Sequence, residues 1–277
     1  MGLRRKLLLG AGIISILLNM YVLDKNKTPK STENSIQNKI YSSLPAIPFN
    51  KIVLDPGHVG EKGGATQPHG IVDVIKGNFP FISYLKKDYV NESDITWDIA
   101  NNLAKLINKN SPETAVYFTA RKGEISSLQE KVNYAKHILS EEGVLLSIHV
   151  NYGSGNGVLA LYSKSKVGDR TWRETVNDLL KYKTLKNIKL KRTKAFVNPI
   201  LDELNKLGFK NQGLAEDARV AYAGELAILR NMPSGSLATL LEVLNIDNPN
   251  ELAVLKEQNL QLAKAIYCGL ARYQPIE

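Results

Sequence analysis

Residues 51–58 read KIVLDPGH, a short apolar run that ends abruptly in Asp-Pro-Gly-His. Residues 51–55 are typical of a strand covered on both faces, because apolar side chains follow one another without polar alternation. The Pro-Gly pair then predicts a turn that presents His58. Four later stretches have the same character and are predicted strands, namely residues 114–119 (TAVYFT), 144–150 (VLLSIHV), 158–162 (VLALY) and 237–244 (LATLLEVL).

Amphipathic stretches separate these strands. Residues 94–108, 126–139 and 250–272 repeat apolar residues at helical spacing, and residues 164–207 are helical in composition and strongly basic. Strands that alternate with helices predict an α/β domain with a mostly parallel, twisted sheet and helices on both faces. We therefore expect a single domain over residues 51–277.

Composition excludes several classes of protein. With 43% hydrophobic and 23% charged residues among 277, the chain has enough apolar side chains to form a core, so it is not disordered. The net charge of +9 favours anionic surfaces, but no nucleic-acid recognition motif accompanies it, so we expect no nucleic-acid partner. Cys268 is the only cysteine, so an internal disulfide and a cysteine-based zinc site are excluded.

The N-terminus has the pattern of an export segment. Arg4, Arg5 and Lys6 precede a largely apolar run, residues 7–23, and no small-residue cleavage site follows it. We interpret residues 1–23 as a signal anchor or signal peptide, which would place the rest of the chain in the cell envelope, in the periplasm or outside the cytoplasmic membrane. An uncleaved anchor would also tie the chain to the membrane. Residues 24–50 are polar and contain three prolines, which predicts a flexible linker.

Chemically active side chains follow the predicted strands. His58 follows the first strand, His149 lies at the end of the third, and Glu242 lies within the last. Glu92 immediately precedes a predicted helix, where the helix dipole favours a carboxylate. Since the carboxyl ends of parallel strands meet at one edge, these residues are candidates for a zinc site of two histidines and one glutamate with an open position.

Each residue also has a simpler interpretation. A single histidine at a strand end is more often structural, and a glutamate before a helix is usually a capping partner. Glu242 is harder to explain as a structural residue, since burying an unpaired carboxylate is unfavourable in free energy. The structural alternative is a buried ion pair of Glu242 with Arg219 or Arg230. We expect the other two histidines, His69 and His137, to lie on the surface.

At these residues the sequence resembles a known family, the zinc-dependent N-acetylmuramoyl-L-alanine amidases of the third amidase type. The resemblance spans most of residues 51–273, with weaker similarity at residues 117–121 and 128–135. Four stretches in order carry it, namely KIVLDPGHVG, NESDITWDIANNLAKLI, LLSIHVN and TLLEV.

The resemblance implies a residue for each role. It places the zinc ligands at His58, Glu92 and His149 and the catalytic glutamate at Glu242, around one Zn²⁺ ion. It implies hydrolysis, by zinc-activated water, of the amide between the lactyl group of N-acetylmuramic acid and L-alanine of the stem peptide in peptidoglycan. No substrate-binding residue is assigned. The alternatives are another envelope zinc peptidase or deacetylase, and an inactive module that binds the cell wall.

Two segments remain as candidates for regulation. Residues 60–89 form a predicted inserted loop that could cover the cleft. The basic segment, residues 164–207, is interpreted as a solvated helix face, with a wall for anionic glycan or a helix that covers the site as alternatives. An activator or localisation protein is a further expected partner.

Overall fold

The computed structural model describes residues 44–60, 91–140, 143–152, 155–163, 176–217, 226–233 and 235–276, with side chains of the long third helix described from residue 189 onward. Apart from Leu44, these residues belong to one compact unit, Pro45–Glu277. Six strands and six helices are described in that unit. In chain order they are β1 (Lys51–Pro56), α1 (Glu92–Asn110), β2 (Ala115–Phe118), α2 (Leu128–Ile138), β3 (Val144–Asn151), β4 (Val158–Tyr162), α3 (Val176–Lys206), β5 (Asn211–Glu216), α4 (Ala227–Arg230), β6 (Leu237–Asn245), α5 (Pro249–Glu257) and α6 (Asn259–Ala271).

The strands form one sheet in the order β2-β1-β3-β6-β4-β5. All described neighbours run parallel except β4 and β6, which are antiparallel. The predicted α/β fold with a mostly parallel sheet is confirmed. Because β1, β3 and β6 are adjacent and parallel, their carboxyl ends meet at one edge of the sheet.

Helices cover both faces of the sheet, as expected. On one face α1, α3 and α6 pack together and against the central strands. On the other face α2 and α4 enclose an apolar cluster, and the alternation of side chains along each strand sends residues to the two layers in turn. This apolar cluster contains Val53, Leu145, Leu159, Leu161 and Leu240 from the strands and Val132, Ala135, Leu139, Ile228 and Leu229 from the helices.

Local sequence explains where the helices begin. Ser127 and Glu130 form a reciprocal capping box at the start of α2. At the start of α5, the Asn248 side chain accepts hydrogen bonds from two backbone N–H groups and Pro249 occupies the first turn. The buried face of α1 includes all five predicted apolar residues, which are Ile95, Ile99, Leu103, Leu106 and Ile107.

Three features differ from the sequence-based expectation. Residues 250–272, predicted as one helix, form α5 and α6 with a break at Gln258. The edge strand β5 was not predicted, because NQGLAE is polar and pairs with β4 on only one side in the described sheet. The helix α4 was also not predicted, since four residues are too few to show a helical period.

The residues just before β1 pack against the domain, although they lie in the predicted linker, residues 24–50. The backbone N–H of Ile47 donates to Ser111 Oγ at 2.9 Å, and Tyr267 Oη donates to the carbonyl of Pro45 at 2.8 Å. The Phe49 ring stacks on Tyr273 with centroids 5.0 Å apart. These contacts hold the N-terminal approach to β1 beside α6.

The predicted membrane segment, residues 1–23, lies outside the described residues. Within the described ranges, no helix has both the length and the hydropathy required to span a bilayer. Most of the predicted loop at residues 60–89, including His69, is likewise outside them. The basic segment is helical in α3 as expected, and its described residues Lys191 and Lys194 are exposed.

Candidate active site

Three predicted metal ligands converge at the carboxyl edge of the sheet. Among the described residues, His58, Glu92 and His149 are the group of ionisable side chains whose ligand atoms lie within 4.8 Å of one another. His58 Nε2 lies 3.6 Å from Glu92 Oε2, and His149 Nδ1 lies 3.1 Å from Glu92 Oε1. The two imidazole rings are nearly perpendicular, with centroids 5.2 Å apart.

Each ligand comes from a different element. His58 follows β1 in a left-handed conformation with φ of 58°, which is costly for a residue with a side chain and is typical of functional sites. Its side chain is 37% exposed. His149 lies in β3, and Glu92 is the first residue of α1 rather than a cap preceding it.

Glu92 is held in place as an ionised acceptor. Its Oε1 accepts hydrogen bonds from the backbone N–H of Val150 at 3.0 Å and from His149 Nδ1. Burial favours the protonated form, but the hydrogen bond and charge of His149, with the charge of His58, hold the pKa of Glu92 below its usual value. The carboxylate is therefore negatively charged at neutral pH.

His149 is protonated in the metal-free site. Burial alone would lower its pKa, but the hydrogen bond and the charge of Glu92, with smaller contributions from Glu242 and Asp55, raise it to about 9. The His149 imidazolium thus places a positive charge between the neighbouring carboxylates.

Gly57 gives the His149 ring its space. A Cβ atom at Gly57 would lie 2.7 Å from His149 Nδ1 and 2.9 Å from two other ring atoms. The Gly57 N–H donates to the carbonyl of Ile148 at 2.8 Å, and its own carbonyl accepts from Thr96 Oγ1 at 2.9 Å. The turn before His58 is thus fastened to both β3 and α1.

We expect Gly57→Ala to destabilise the metal-free protein by about 1–3 kcal/mol, because the added methyl group forces the His149 ring out of position. The φ of Gly57 lies outside the left-handed region, so backbone strain does not contribute. In a His149→Ala background the same change should cost less than about 0.5 kcal/mol, and urea unfolding of the four proteins measures both values. Equal costs in the two backgrounds would show that the ring is not the obstacle.

Glu242 is placed beside the metal-ligand cluster by strand pairing. It lies opposite His149 in the parallel register of β3 and β6, and opposite Leu159 of β4. Its Oε2 is buried and has no hydrogen-bond partner among the described residues. No ion pair with Arg230 is present there, and Arg219 lies outside the described residues.

The electrostatics of Glu242 suit a group that exchanges protons near neutral pH. Burial raises its pKa to about 7, and the Glu92 carboxylate adds to the rise, while the charges of His149 and His58 oppose it. A carboxyl with a pKa close to the working pH can both accept and donate a proton. An orphan buried carboxylate oxygen beside a cluster of potential ligands is unusual in a folded protein.

A buried hydroxyl–carboxylate network supports the site from below and was missed by sequence reasoning. Asp55 is 3% exposed and accepts hydrogen bonds from Thr119 Oγ1 at 2.5 Å and Ser147 Oγ at 2.6 Å. These bonds join the end of β1 to the residue that follows β2 and to the middle of β3. The polar residues inside the predicted strands, TAVYFT and VLLSIHV, were the available signal.

The donor set fits zinc. Two nitrogen or oxygen ligands that each lie about 2.0–2.2 Å from one ion are separated by no more than about 4.4 Å. The distances of 3.1 Å and 3.6 Å between Glu92 and the two histidines meet this limit. Two imidazoles and a carboxylate also have the composition of a catalytic zinc site. Of the other two histidines, His137 is exposed on α2, as expected.

The sequence matches a family model and is similar to known proteins. A family model for N-acetylmuramoyl-L-alanine amidase matches residues 52–272. The N-acetylmuramoyl-L-alanine amidase AmiC of Escherichia coli O6:H1 is 29% identical over 252 residues, which cover 80% of this chain and 52% of AmiC. A protein of Bacillus anthracis described as an uncharacterized cell wall amidase is 29% identical over 152 residues, which cover 52% of this chain and 22% of that protein. The chain thus spans about half or less of the length of these relatives.

A solved structure has the same fold. It is the CwlD amidase of Clostridioides difficile in complex with the GerS lipoprotein, with a TM-score of 0.51 and 22% identity. The match covers 81% of this chain and 98% of that one. At this identity the comparison establishes a common fold.

Proposed function

Because the chain belongs to the N-acetylmuramoyl-L-alanine amidase family, we propose that it hydrolyses peptidoglycan at the amide between the lactyl group of N-acetylmuramic acid and L-alanine of the stem peptide. The observation that carries the proposal is the meeting of His58, Glu92 and His149 with Glu242, whose buried Oε2 has no hydrogen-bond partner among the described residues, at one edge of the sheet. Three ligands and a base are the parts that metal-assisted amide hydrolysis requires.

We assign one zinc ion to His58, Glu92 and His149. When bound, zinc supplies a Lewis acid that polarises the scissile carbonyl and makes a water molecule acidic near neutral pH. The chain itself holds the two rings and the carboxylate in place through Gly57, the N–H of Val150 and the network around Asp55.

Glu242 acts as general base and then as general acid. It accepts a proton from the attacking water, whose oxygen forms the new bond to the lactyl carbonyl carbon. It then delivers that proton to the amide nitrogen as the C–N bond breaks, because an amine leaves far more readily when it is protonated. The products are a lactyl carboxylic acid on the glycan and a stem peptide with a free L-alanine amine.

Zinc binding should depend steeply on pH. Because the pKa of His149 is raised to about 9 in the metal-free site, zinc must displace its proton at any lower pH. We expect the dissociation constant to fall about tenfold for each pH unit between roughly pH 7 and 8.5, with about one proton released per ion. Competition with a chromophoric chelator and calorimetry in buffers of different ionisation enthalpy measure the two quantities. A flat profile would contradict the protonated His149.

The test of the function is product analysis. The full chain, loaded with zinc, is incubated with purified intact peptidoglycan, and the soluble products are identified by mass spectrometry. We expect whole stem peptides with free N-terminal L-alanine and uncut glycan strands, with activity lost on chelation and restored by zinc. Acetate release would indicate a deacetylase, cuts within the peptide a peptidase, and wall binding without products an inactive module.

Membership of the amidase family also supports a location in the cell envelope and a protein partner. A wall polymer as substrate is consistent with an exported protein held at the membrane by residues 1–23, and this export remains a prediction. The complex of the related CwlD with a lipoprotein supports the expectation of an activator or localisation protein for this chain. Protease protection of the chain in intact cells and in spheroplasts would test the location.

A further inference from the structure

Glu251 is a buried carboxylate outside the proposed zinc ligands and base. It lies in the first turn of α5 and is 9% exposed. Its Oε1 accepts a hydrogen bond from the N–H of Gly157 at 2.7 Å, and its Oε2 accepts from the N–H and the Nδ2 of Asn245 at 2.7 and 2.9 Å. Both oxygens are therefore used, and the carboxylate joins the end of β6 to the residue before β4.

The strand end that Glu251 holds is irregular. In the pairing of β3 with β6, His149 lies opposite Glu242 but Asn151 lies opposite Asn245, so β6 contains one extra residue. Leu244 lies in this bulge with φ of 69°, a left-handed conformation that costs free energy for a branched apolar residue. Such a conformation persists only where surrounding contacts impose it, and the bonds to Asn245 are adjacent contacts of this kind.

The other end of the connection is also closely fixed. Gly157 has φ of +91°, and a Cβ atom there would lie 2.0 Å from the carbonyl oxygen of Lys210. The residue therefore has little freedom to move toward that neighbouring segment. Its N–H fixes Glu251, and Glu251 in turn fixes the bulge two to three residues beyond Glu242.

The proposed base and the proposed metal ligands are held by different elements of the fold. His58, Glu92 and His149 come from β1, α1 and β3, whereas Glu242 comes from β6, whose other neighbour is β4. A bulge bends its strand and redirects nearby side chains, so a shift of the bulge that begins after Glu242 would change where the Glu242 carboxylate points. Glu251 ties that bulge to β4, the neighbour that carries none of the proposed ligands.

We propose that Glu251 is a positioning residue for Glu242: its buried carboxylate holds the β6 bulge against the start of β4 and so sets the base relative to the metal ligands. The proposal rests on the proposed function of Glu242. The hydrogen bonds of the Glu251 carboxylate go to Gly157 and Asn245, and none goes to a proposed ligand.

The test is Glu251→Gln in the full zinc-loaded chain. Glutamine keeps the volume but turns one oxygen into an NH₂ group, which must face the N–H of either Gly157 or Asn245, so one side of the connection is lost. We expect kcat on peptidoglycan to fall about 10- to 100-fold with KM within about twofold, because only the orientation of the base changes. Zinc stoichiometry and the visible spectrum of the cobalt(II)-substituted protein should stay unchanged.

Glu203→Gln is the matched control. Glu203 is also a carboxylate with two hydrogen-bonded partners, Lys206 Nζ and Arg272 Nη1, both at 2.6 Å, but it lies on α3. We expect its kcat to equal that of the wild type when both variants are assayed below their unfolding temperatures. This control separates the loss of a bonded carboxylate from the loss of this particular one.

A second variant, Asn245→Ala, tests the same connection if Glu251→Gln does not fold. Asn245→Ala removes only the Nδ2 bond to Glu251, since Asn245 Oδ1 has no partner among the described residues. We expect a smaller fall in kcat, about three- to tenfold, again with unchanged zinc content.

The outcomes distinguish the two proposals. Wild-type kcat in Glu251→Gln or, if that variant does not fold, in Asn245→Ala would overturn the positioning role, as would a loss of kcat that follows a loss of zinc. An inactive wild type would overturn the proposed function, and a fully active Glu242→Gln would overturn the assignment of Glu242 as the base; either result would overturn the positioning role as well. A fall in kcat confined to Glu251→Gln and Asn245→Ala, with Glu203→Gln unaffected, supports both.

Discussion

Glu242→Gln is expected to lower kcat for peptidoglycan hydrolysis by about 10²- to 10⁴-fold while zinc stays bound. Glutamine has the same shape but cannot take a proton from water or return one to the leaving nitrogen. The zinc content should remain, because the three proposed ligands come from other elements. Release of stem peptides and metal analysis of the same sample provide the measurement, with Glu203→Gln as the control. A rate near that of the wild type would require a different base.

The same variant should change the pH dependence of stability of the metal-free protein. The pKa of Glu242 is raised from 4.5 to about 7, so the unfolded chain loses this proton at lower pH than the folded one. Wild-type stability therefore falls as the pH rises through this window, and the loss is complete above about pH 7. Glu242→Gln lacks this loss and should unfold at a higher temperature than the wild type at pH 8, with a smaller difference at pH 4. A lower unfolding temperature of the variant at pH 8 would contradict the raised pKa of Glu242.

The second large effect is expected from His58→Ala. Loss of one of three ligands should reduce bound zinc from about one ion per chain to nearly none at micromolar metal, and hydrolysis should fall to the level of the chelated wild type. The fold should persist, because the His58 side chain is 37% exposed and alanine pays a similar cost for the left-handed backbone.

The matched control for this variant is His137→Ala, which removes an exposed imidazole from α2. It should keep both zinc and activity, as measured by metal analysis and by stem-peptide release. Full zinc occupancy in His58→Ala would show that the metal is held by other residues, and the assignment of the site would fail. Loss of zinc in His137→Ala as well would point to a general loss of folding instead.

Much of the candidate site could be predicted because its residues lie in short sequence motifs. KIVLDPGH, LLSIHVN and TLLEV each combine a buried strand with a polar residue at or near its end, and parallel strands bring such ends together. In the structure the ligand atoms of His58, Glu92 and His149 lie within 4.8 Å of one another. Their assignment as zinc ligands, and that of Glu242 as the base, remain proposals with the tests given above.

Other features could not be predicted because they depend on partners far away along the chain. The sequence predicts Asp55 only as the end of a strand. Its role depends on the hydroxyl groups of Thr119 and Ser147, which are 64 and 92 positions away. Glu251 reads as an ordinary acidic residue in a first helical turn, yet it accepts a hydrogen bond from Gly157, 94 positions away. No periodicity or composition of a single segment records such pairs.

The sequence alone determined the class of fold, the strands that carry the candidate site and the family, because strand propensity, helical periodicity and motif chemistry are properties of neighbouring residues. The tertiary structure decided the strand order, with β6 between β3 and β4, the antiparallel pairing of β4 with β6, and the left-handed bulge at Leu244. It also decided that Glu242 has an orphan oxygen rather than an ion pair with Arg230. These features arise from packing and hydrogen bonds between distant segments, whose free energies exist only once the chain has folded.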